Sequence, residues 1–109
     1  MHVTNLDSPR SGRPVANQYE IESDDGSITF QSYQTPIARK CDYKYIISAN
    51  WNYSRTTTKY FYEWLRSYGW YQSEIDELKK WLNHSSRKAG DEVAILGPKS
   101  IEVKYIEAL

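Results

Sequence analysis

The aromatic content of this chain constrains its fold more than any other feature. Ten tyrosines, four tryptophans and two phenylalanines occur among 109 residues, whereas leucine, isoleucine, valine and phenylalanine together number 21. That share of large apolar residues lies near the boundary of disorder. The aromatic side chains must therefore supply much of the hydrophobic core. The length is enough for one compact domain and too short for two.

Charge and hydropathy exclude several classes of protein. Fourteen Lys and Arg residues balance fourteen Asp and Glu residues, so the formal net charge is zero. This excludes a strongly acidic nucleic-acid mimic and a histone-like polycation. No stretch approaches the ~18 to 20 apolar residues of a membrane helix, and the first five residues lack the pattern of a signal peptide. The single cysteine, Cys41, permits no internal disulfide, so we expect a soluble cytoplasmic protein.

The N-terminal part of the chain predicts an arm followed by a hairpin. Residues 1–17 contain two prolines and no apolar period, which predicts an extended basic arm. Residues 18–22 and 27–33 alternate with a period of two around Asp24, Asp25 and Gly26, which favour a turn. The alternation predicts one packed face with four apolar side chains: Tyr19, Ile21, Ile28 and Phe30.

Two more strands and two helices follow. Residues 35–39 and 43–48 predict strands that extend the hairpin into an antiparallel meander over residues 18–48. A helix capped by Ser54 or Thr56 should run to about Tyr68 and stop at Gly69. A second helix is expected to start at Ser73, and the pair occupies residues 54–83. Spacings of three and four residues predict their buried stripes: Phe61, Trp64, Leu65 and Tyr68, then Ile75, Leu78 and Leu82.

A C-terminal hairpin completes the predicted domain. Residues 92–96 and 100–106 read as two strands joined by a turn at Gly97, Pro98 and Lys99. The predicted fold class is α+β: a single small domain over residues 18–109, with an antiparallel sheet of about four to six strands packed against two helices.

Recognisable catalytic patterns are missing from the sequence. Only five glycines occur, and their positions allow neither of the usual phosphate-binding loops. The two histidines, His2 and His84, are too few for a metal site with Cys41. A Cys41–His84 nucleophilic pair is conceivable, but a small, partly buried thiol is the more ordinary interpretation. We therefore expect no enzyme activity, no cofactor and no metal.

One predicted surface stands out. At 100° per residue, four side chains of the first helix lie opposite its core stripe: Arg55, Lys59, Tyr62 and Arg66. Basic and aromatic side chains in this pattern suit phosphate contacts and base stacking. Alternatively, the charges form an ordinary solvated helix face and the aromatic rings belong to the core. We take these four residues, with Arg13 of the arm, as the candidate partner-binding set.

Several short motifs also resemble a known family. They are GRPVANQYEI at residues 12–21, FQSY at 30–33, IA at 37–38 and WNYSRTT at 51–57, followed by Lys59 and Tyr60. In this pattern the chain resembles a family of small uncharacterised bacteriophage proteins over residues 12–65, and the region after Leu96 is read as an extension. The resemblance assigns no catalytic residues. The polar motif residues also have a physical interpretation, because such side chains cap helices and satisfy strand ends.

The resemblance to phage proteins favours a binding function. Small accessory phage proteins often bind a host enzyme, a defence complex such as a CRISPR effector, or nucleic acid. The leading hypothesis is a non-enzymatic protein that binds a host or defence-system protein and inhibits or redirects it. The alternative is a nucleic-acid-binding accessory protein that uses the basic aromatic helix face. Neutral net charge favours the first, and the local basic excess favours the second.

Overall fold

The computed structural model describes residues 1–42, 44–97 and 100–109. Three residues of the predicted elements lie outside the described residues: Tyr43, at the expected start of a strand, and Pro98 and Lys99, in the expected last turn. The radius of gyration over Cα atoms is 13.2 Å, as expected for a single domain of this length.

The described residues form one sheet and two α-helices, so the predicted α+β class is confirmed. The strands are β1 (His2–Asp7), β2 (Pro14–Glu22), β3 (Ile28–Ser32), β4 (Thr35–Cys41), β5 (Lys44–Ser48), β6 (Glu92–Ile95) and β7 (Ile101–Ile106). A short 3-10 helix (Ala49–Asn52) leads into α1 (Arg55–Ser67), which is followed by α2 (Gln72–Leu82).

The sheet has seven strands in the order β1-β2-β3-β4-β5-β7-β6. Strands β2 to β5 form the predicted antiparallel meander, β1 adds to its edge, and β6 pairs with β7 as the predicted C-terminal hairpin. The expected count of four to six strands was too low, and the sheet is not wholly antiparallel because β5 and β7 are parallel. The chain between β5 and β7 contains both helices, which gives the long crossover that parallel strands require.

The predicted arm at residues 1–17 was wrong. Strand β1 pairs antiparallel with β2, with Val3 opposite Ile21 and Asn5 opposite Tyr19. The bend between the strands includes Gly12 at a φ of +69°. Strand β1 lies at the edge of the sheet and is largely exposed, so its residues do not alternate between apolar and polar. No sequence signal therefore marks a strand here.

The predicted face of β2 was also wrong. Glu20 pairs with Phe30, and Tyr19 pairs with Gln31. Paired residues share a face. Phe30 stacks on the helix side against Phe61 and Trp64, so Tyr19 and Ile21 project from the opposite face. An odd number of residues separates Glu22 from Ile28, the pair next to the turn. Even-numbered residues of β2 therefore pair with even-numbered residues of β3, so the polar side chains of β2 face the helices.

The helices carry the predicted core. Ser54 caps α1 by accepting the Thr57 N–H at 3.1 Å, and Gly69 follows its end at a φ of +87°. Helix α2 begins at Gln72, one residue earlier than predicted. Both predicted stripes are buried, except that Tyr68 is half-buried. In the part of the chain that the structure describes, no helix has the length and apolar character needed to cross a membrane.

Candidate functional site

The N-terminal half of α1 forms one wall of a shallow surface groove, which we call the basic groove. Its volume is about 400 Å³, and it is lined by Asn52, Ser54, Arg55, Thr58, Lys59 and Tyr62. The spacing of four and then three residues places Arg55, Lys59 and Tyr62 on one side of the helix. The structure therefore brings together three of the five residues that the sequence predicted.

Arg55 and Lys59 are the exposed cations of the basic groove. Among the described residues, neither forms an ion pair with a carboxylate. The Lys59 ammonium lies 5.4 Å from the centre of the Tyr60 ring, a cation–π contact that leaves the ammonium exposed. The first turn of α1 contains no acidic residue. Both charges are thus available to a negatively charged group of a partner.

Tyr62 lies in the groove with its ring half-buried. Its hydroxyl oxygen is buried and has no hydrogen-bond partner among the described residues. Burial raises the pKa of Tyr62, and the nearby Asp76 carboxylate raises it further. The phenol therefore stays neutral at pH 7, and its buried edge leaves only part of the ring for contact with a partner. The predicted role of Tyr62 as a free stacking platform is correspondingly weakened.

The other two predicted residues lie apart from the basic groove. The Arg66 guanidinium donates to Glu63 at 2.7 Å and to Gln72 at 2.8 Å, so its charge is neutralised within the protein. Arg13 lies in the connection between β1 and β2, where its carbonyl accepts the Ser8 N–H at 2.8 Å. The sequence could not show the Gln72 contact, because it joins α1 to the following helix.

Beneath the N-terminus of α1 lies a set of buried hydroxyls. The Thr57 hydroxyl is 2.8 Å from the Ser32 hydroxyl and accepts from the Ser54 hydroxyl at 2.9 Å. Thr57 and Ser32 are fully buried. These bonds join the end of β3 to the first turn of the helix. Of the two predicted caps, Ser54 is confirmed, because it accepts the Thr57 N–H, whereas Thr56 is exposed and does not cap the helix.

Gln18 lies next to these hydroxyls, since it pairs with Ser32 across β2 and β3. Its relative exposure is 0%, and neither its amide nitrogen nor its amide oxygen has a hydrogen-bond partner among the described residues. Burying an amide in this way opposes folding. The junction between the sheet and the start of α1 is therefore polar inside, unlike the aromatic core beside it.

Two exposed tyrosines border this junction, and the sequence-based set did not include them. Tyr33 is 44% exposed and Tyr53 is 47% exposed. The Tyr53 hydroxyl donates to the Ser32 carbonyl at 3.4 Å, so its ring lies beside the peptide that joins Ser32 to Tyr33. Tyr33 follows β3 directly, and nothing in its residue type indicated a turn position.

Of the two residues considered for catalysis, one lies on β4 and the other follows α2. Cys41 is a half-buried free thiol at the end of β4, and His84 is exposed, with its ring Nδ1 accepting from the Ser86 backbone. Within the described ranges, no group of three or more His, Cys, Asp or Glu side chains is arranged to hold a metal ion.

A larger hollow than the basic groove lies along the exposed side of α2. Its volume is about 730 Å³, and its lining includes the charged residues Asp76, Glu77, Lys79 and Lys80. Two acids and two bases give it no net charge. We place the candidate site at the basic groove instead, because there the cations are unbalanced.

A comparison with models of protein families shows to which family the chain belongs. A model of a family of unknown function, DUF8033, matches residues 1–89. The chain belongs to this family. The match extends from β1 through α2 and therefore includes the basic groove and both exposed tyrosines. Comparisons with curated proteins and with solved structures find no match. The family description names no activity, so it assigns no role to any residue.

Proposed function

We propose that this chain is a non-enzymatic accessory protein of a bacteriophage that binds a host or defence-system protein and inhibits or redirects it. It acts in the cytoplasm of the bacterial host cell. The observation that carries the proposal is a pair of exposed cations in one groove, Arg55 and Lys59, that form no ion pair with any described residue. Such a groove is complementary to a partner surface that carries carboxylates.

The surroundings of the groove support a protein partner. Tyr53 and Arg55 lie two residues apart, and tyrosine and arginine are enriched at the centres of protein interfaces. The net charge of zero gives no long-range attraction to a polyanion. Since Arg66 is paired with Glu63, the basic face retains two free charges rather than three.

Affinity capture with charge reversal tests this function. The wild-type chain, Arg55→Glu/Lys59→Glu and the control Lys79→Glu/Lys80→Glu are immobilised and exposed to nuclease-treated bacterial lysate. The control reverses two exposed lysines on α2, away from the groove. We expect the wild type and the control to retain the same discrete protein and the groove variant to lose it. Retention by all three would contradict the proposal.

Single-stranded nucleic acid is the second candidate, favoured by the exposed rings of Tyr33 and Tyr53, the second of which precedes Arg55 by two residues. Aromatic rings next to cations bind bases by stacking and phosphates by charge. Two free cations predict a shallow salt dependence, with a log–log slope of about 1.4 for two phosphate contacts. Binding of a short labelled oligonucleotide that falls with this slope, together with loss of protein capture after nuclease treatment, would favour this candidate.

A further inference from the structure

Tyr33 has a backbone conformation that its residue type disfavours. Three non-glycine residues among those described have positive φ: Asn17 at 67°, Tyr33 at 57° and Asp42 at 54°. Asparagine and aspartate tolerate this region because their short polar side chains bond locally, whereas a bulky residue there is a genuine outlier. Strain of this kind concentrates at functional sites. Of these three residues, Tyr33 is therefore the one whose side chain disfavours the backbone conformation that it adopts.

The backbone of Tyr33 is held firmly, but its phenol is not used by the fold. Its N–H donates to the Asn17 carbonyl at 2.6 Å, and its carbonyl accepts from the Gln31 amide at 3.1 Å. Asparagine or glycine at position 33 could make the same two bonds without the strain. The Tyr33 ring is 44% exposed, and its hydroxyl makes no hydrogen bond to any described residue. Folding thus provides no reason for a tyrosine at this position.

Tyr53 links Tyr33 to the basic groove. The Tyr53 hydroxyl contacts the carbonyl that precedes Tyr33, and Tyr53 is followed after one residue by Arg55. Lys59 lies one helical turn beyond Arg55. The surface therefore presents two amphipathic rings beside two cations. Tyrosines that insert into apolar pockets, with charges at the rim, are a common arrangement of protein interfaces.

We propose that Tyr33 and Tyr53 are the anchor side chains of this interface. They insert into an apolar pocket on a protein partner whose rim carries carboxylates opposite Arg55 and Lys59. This inference rests on the proposed binding function and specifies the partner surface. A protein is favoured over nucleic acid because, on the exposed face of α1, only Arg55 and Lys59 form no ion pair with a described residue, and the chain as a whole is neutral.

Site-specific crosslinking in the full chain tests the proposal. The photoreactive residue p-benzoylphenylalanine replaces Tyr33, Tyr53 or, as a control, Tyr71, which is 59% exposed on α2's N-cap. Each chain is irradiated in nuclease-treated bacterial lysate. We expect one discrete protein to crosslink from positions 33 and 53 and not from position 71. Crosslinking to nucleic acid alone, or to nothing, would overturn the proposal.

The crosslinked protein is then purified and titrated against three variants. We expect Tyr33→Asn to bind it at least tenfold more weakly than the wild type while melting at the same or a higher temperature. A lower melting temperature for Tyr33→Asn would show that the ring serves the fold and would overturn the proposal. Tyr33→Phe, which keeps the ring, should retain most of the affinity.

The third variant separates this inference from the proposed function. If Arg55→Glu/Lys59→Glu loses the partner while Tyr33→Asn keeps it, the basic groove binds but Tyr33 is not an anchor. If both variants keep the partner, both proposals fail. If both variants fold and both lose the partner, the two proposals are supported.

Discussion

The two halves of helix α1 pack against the sheet in different ways. The C-terminal half buries Phe61, Trp64 and Leu65 against other aromatic rings, among them Phe30 and Tyr45. The N-terminal half contributes Tyr60 to the core and also packs through hydroxyls, with Thr57 between Ser32 and Ser54. A polar junction can be continuous with a polar surface. The difference indicates that one half stabilises the domain and the other presents the binding surface.

Two residues at the N-terminal half reduce stability instead of adding to it. Gln18 buries an amide that has no described hydrogen-bond partner, and Tyr33 has a positive φ. Proteins commonly accept such costs where function requires a particular surface. In the buried stripe of the C-terminal half, the Trp64 indole N–H donates to Glu20 at 3.0 Å, although the Tyr62 hydroxyl beside the stripe is buried without a described partner.

The largest expected effect is at Trp64. Replacing Trp64 by Ala removes its contacts with Phe30, Tyr45 and Tyr68 and leaves a cavity, which should cost about 3 to 5 kcal/mol of unfolding free energy. Urea denaturation measures this loss, and Tyr71→Ala, an exposed position, is the matched control. If both variants unfold at the same urea concentration, the C-terminal half does not carry the stability assigned to it.

A smaller loss is expected at the polar junction. Thr57→Val keeps the shape of the side chain but leaves the Ser32 and Ser54 hydroxyls without their shared partner. Unsatisfied buried polar groups cost about 1 to 3 kcal/mol. The same change at the exposed neighbour Thr56 should stay within about 0.5 kcal/mol. Equal effects of the two variants would show that the buried hydroxyl bonds do not hold the start of α1.

The pH dependence of stability tests the buried contacts at the C-terminal end of α1. Burial raises the pKa of Tyr68 above its usual value of 10.0, and the hydrogen bond that it donates to Glu20 raises it further. A raised pKa in the folded state contributes stability that is complete below pH 10 and is lost as the pH rises toward the folded value.

Tyr68→Phe removes this contribution. The wild type should therefore lose unfolding free energy more steeply above pH 10 than Tyr68→Phe, as measured by urea denaturation across that range. At pH 7 the variant should be less stable by about 0.5 to 1.5 kcal/mol, since one hydrogen bond is lost. Parallel pH profiles would contradict the role of Glu20 as the acceptor.

The smallest effect on stability is expected at the basic groove. Arg55→Glu/Lys59→Glu places acidic side chains near the positive end of the α1 dipole, which should leave stability unchanged or raise it by up to about 1 kcal/mol. Thermal unfolding of the purified variant measures this. A loss of unfolding free energy above about 1 kcal/mol would show that the two cations stabilise the fold. Any loss of partner binding by this variant would then follow from its lower stability.

The sequence predicted the helices well because their pattern is local. A stripe with a period of 3.6 placed Phe61, Trp64 and Leu65 in the core, and the residue types at Ser54 and Gly69 marked the ends of α1. Strand β1 and the face of β2 were mispredicted because their pairing depends on register and on the partner strand. Tyr19 and Ile21 alternate as a core face does, although they project away from the helices.

The candidate site was predicted in part for the same reason. Arg55, Lys59 and Tyr62 share a side of one helix, so helical geometry alone placed them together. Arg66 shares that side, but its pairing with Gln72 depends on how α2 packs. The positive φ of Tyr33 follows from the tight connection between β3 and β4, and tyrosine is not a residue that signals such a turn.

Hydrogen–deuterium exchange of the chain, alone and in complex with the captured protein, tests the central claim most directly. The claim is that the N-terminal half of α1 and the adjoining tyrosines form the binding surface. We expect added protection in residues 31–34 and 52–60, with exchange in β6 and the C-terminal half of α1 unchanged. Added protection confined to α2 or to β6 and β7, with residues 31–34 and 52–60 unaffected, would contradict it.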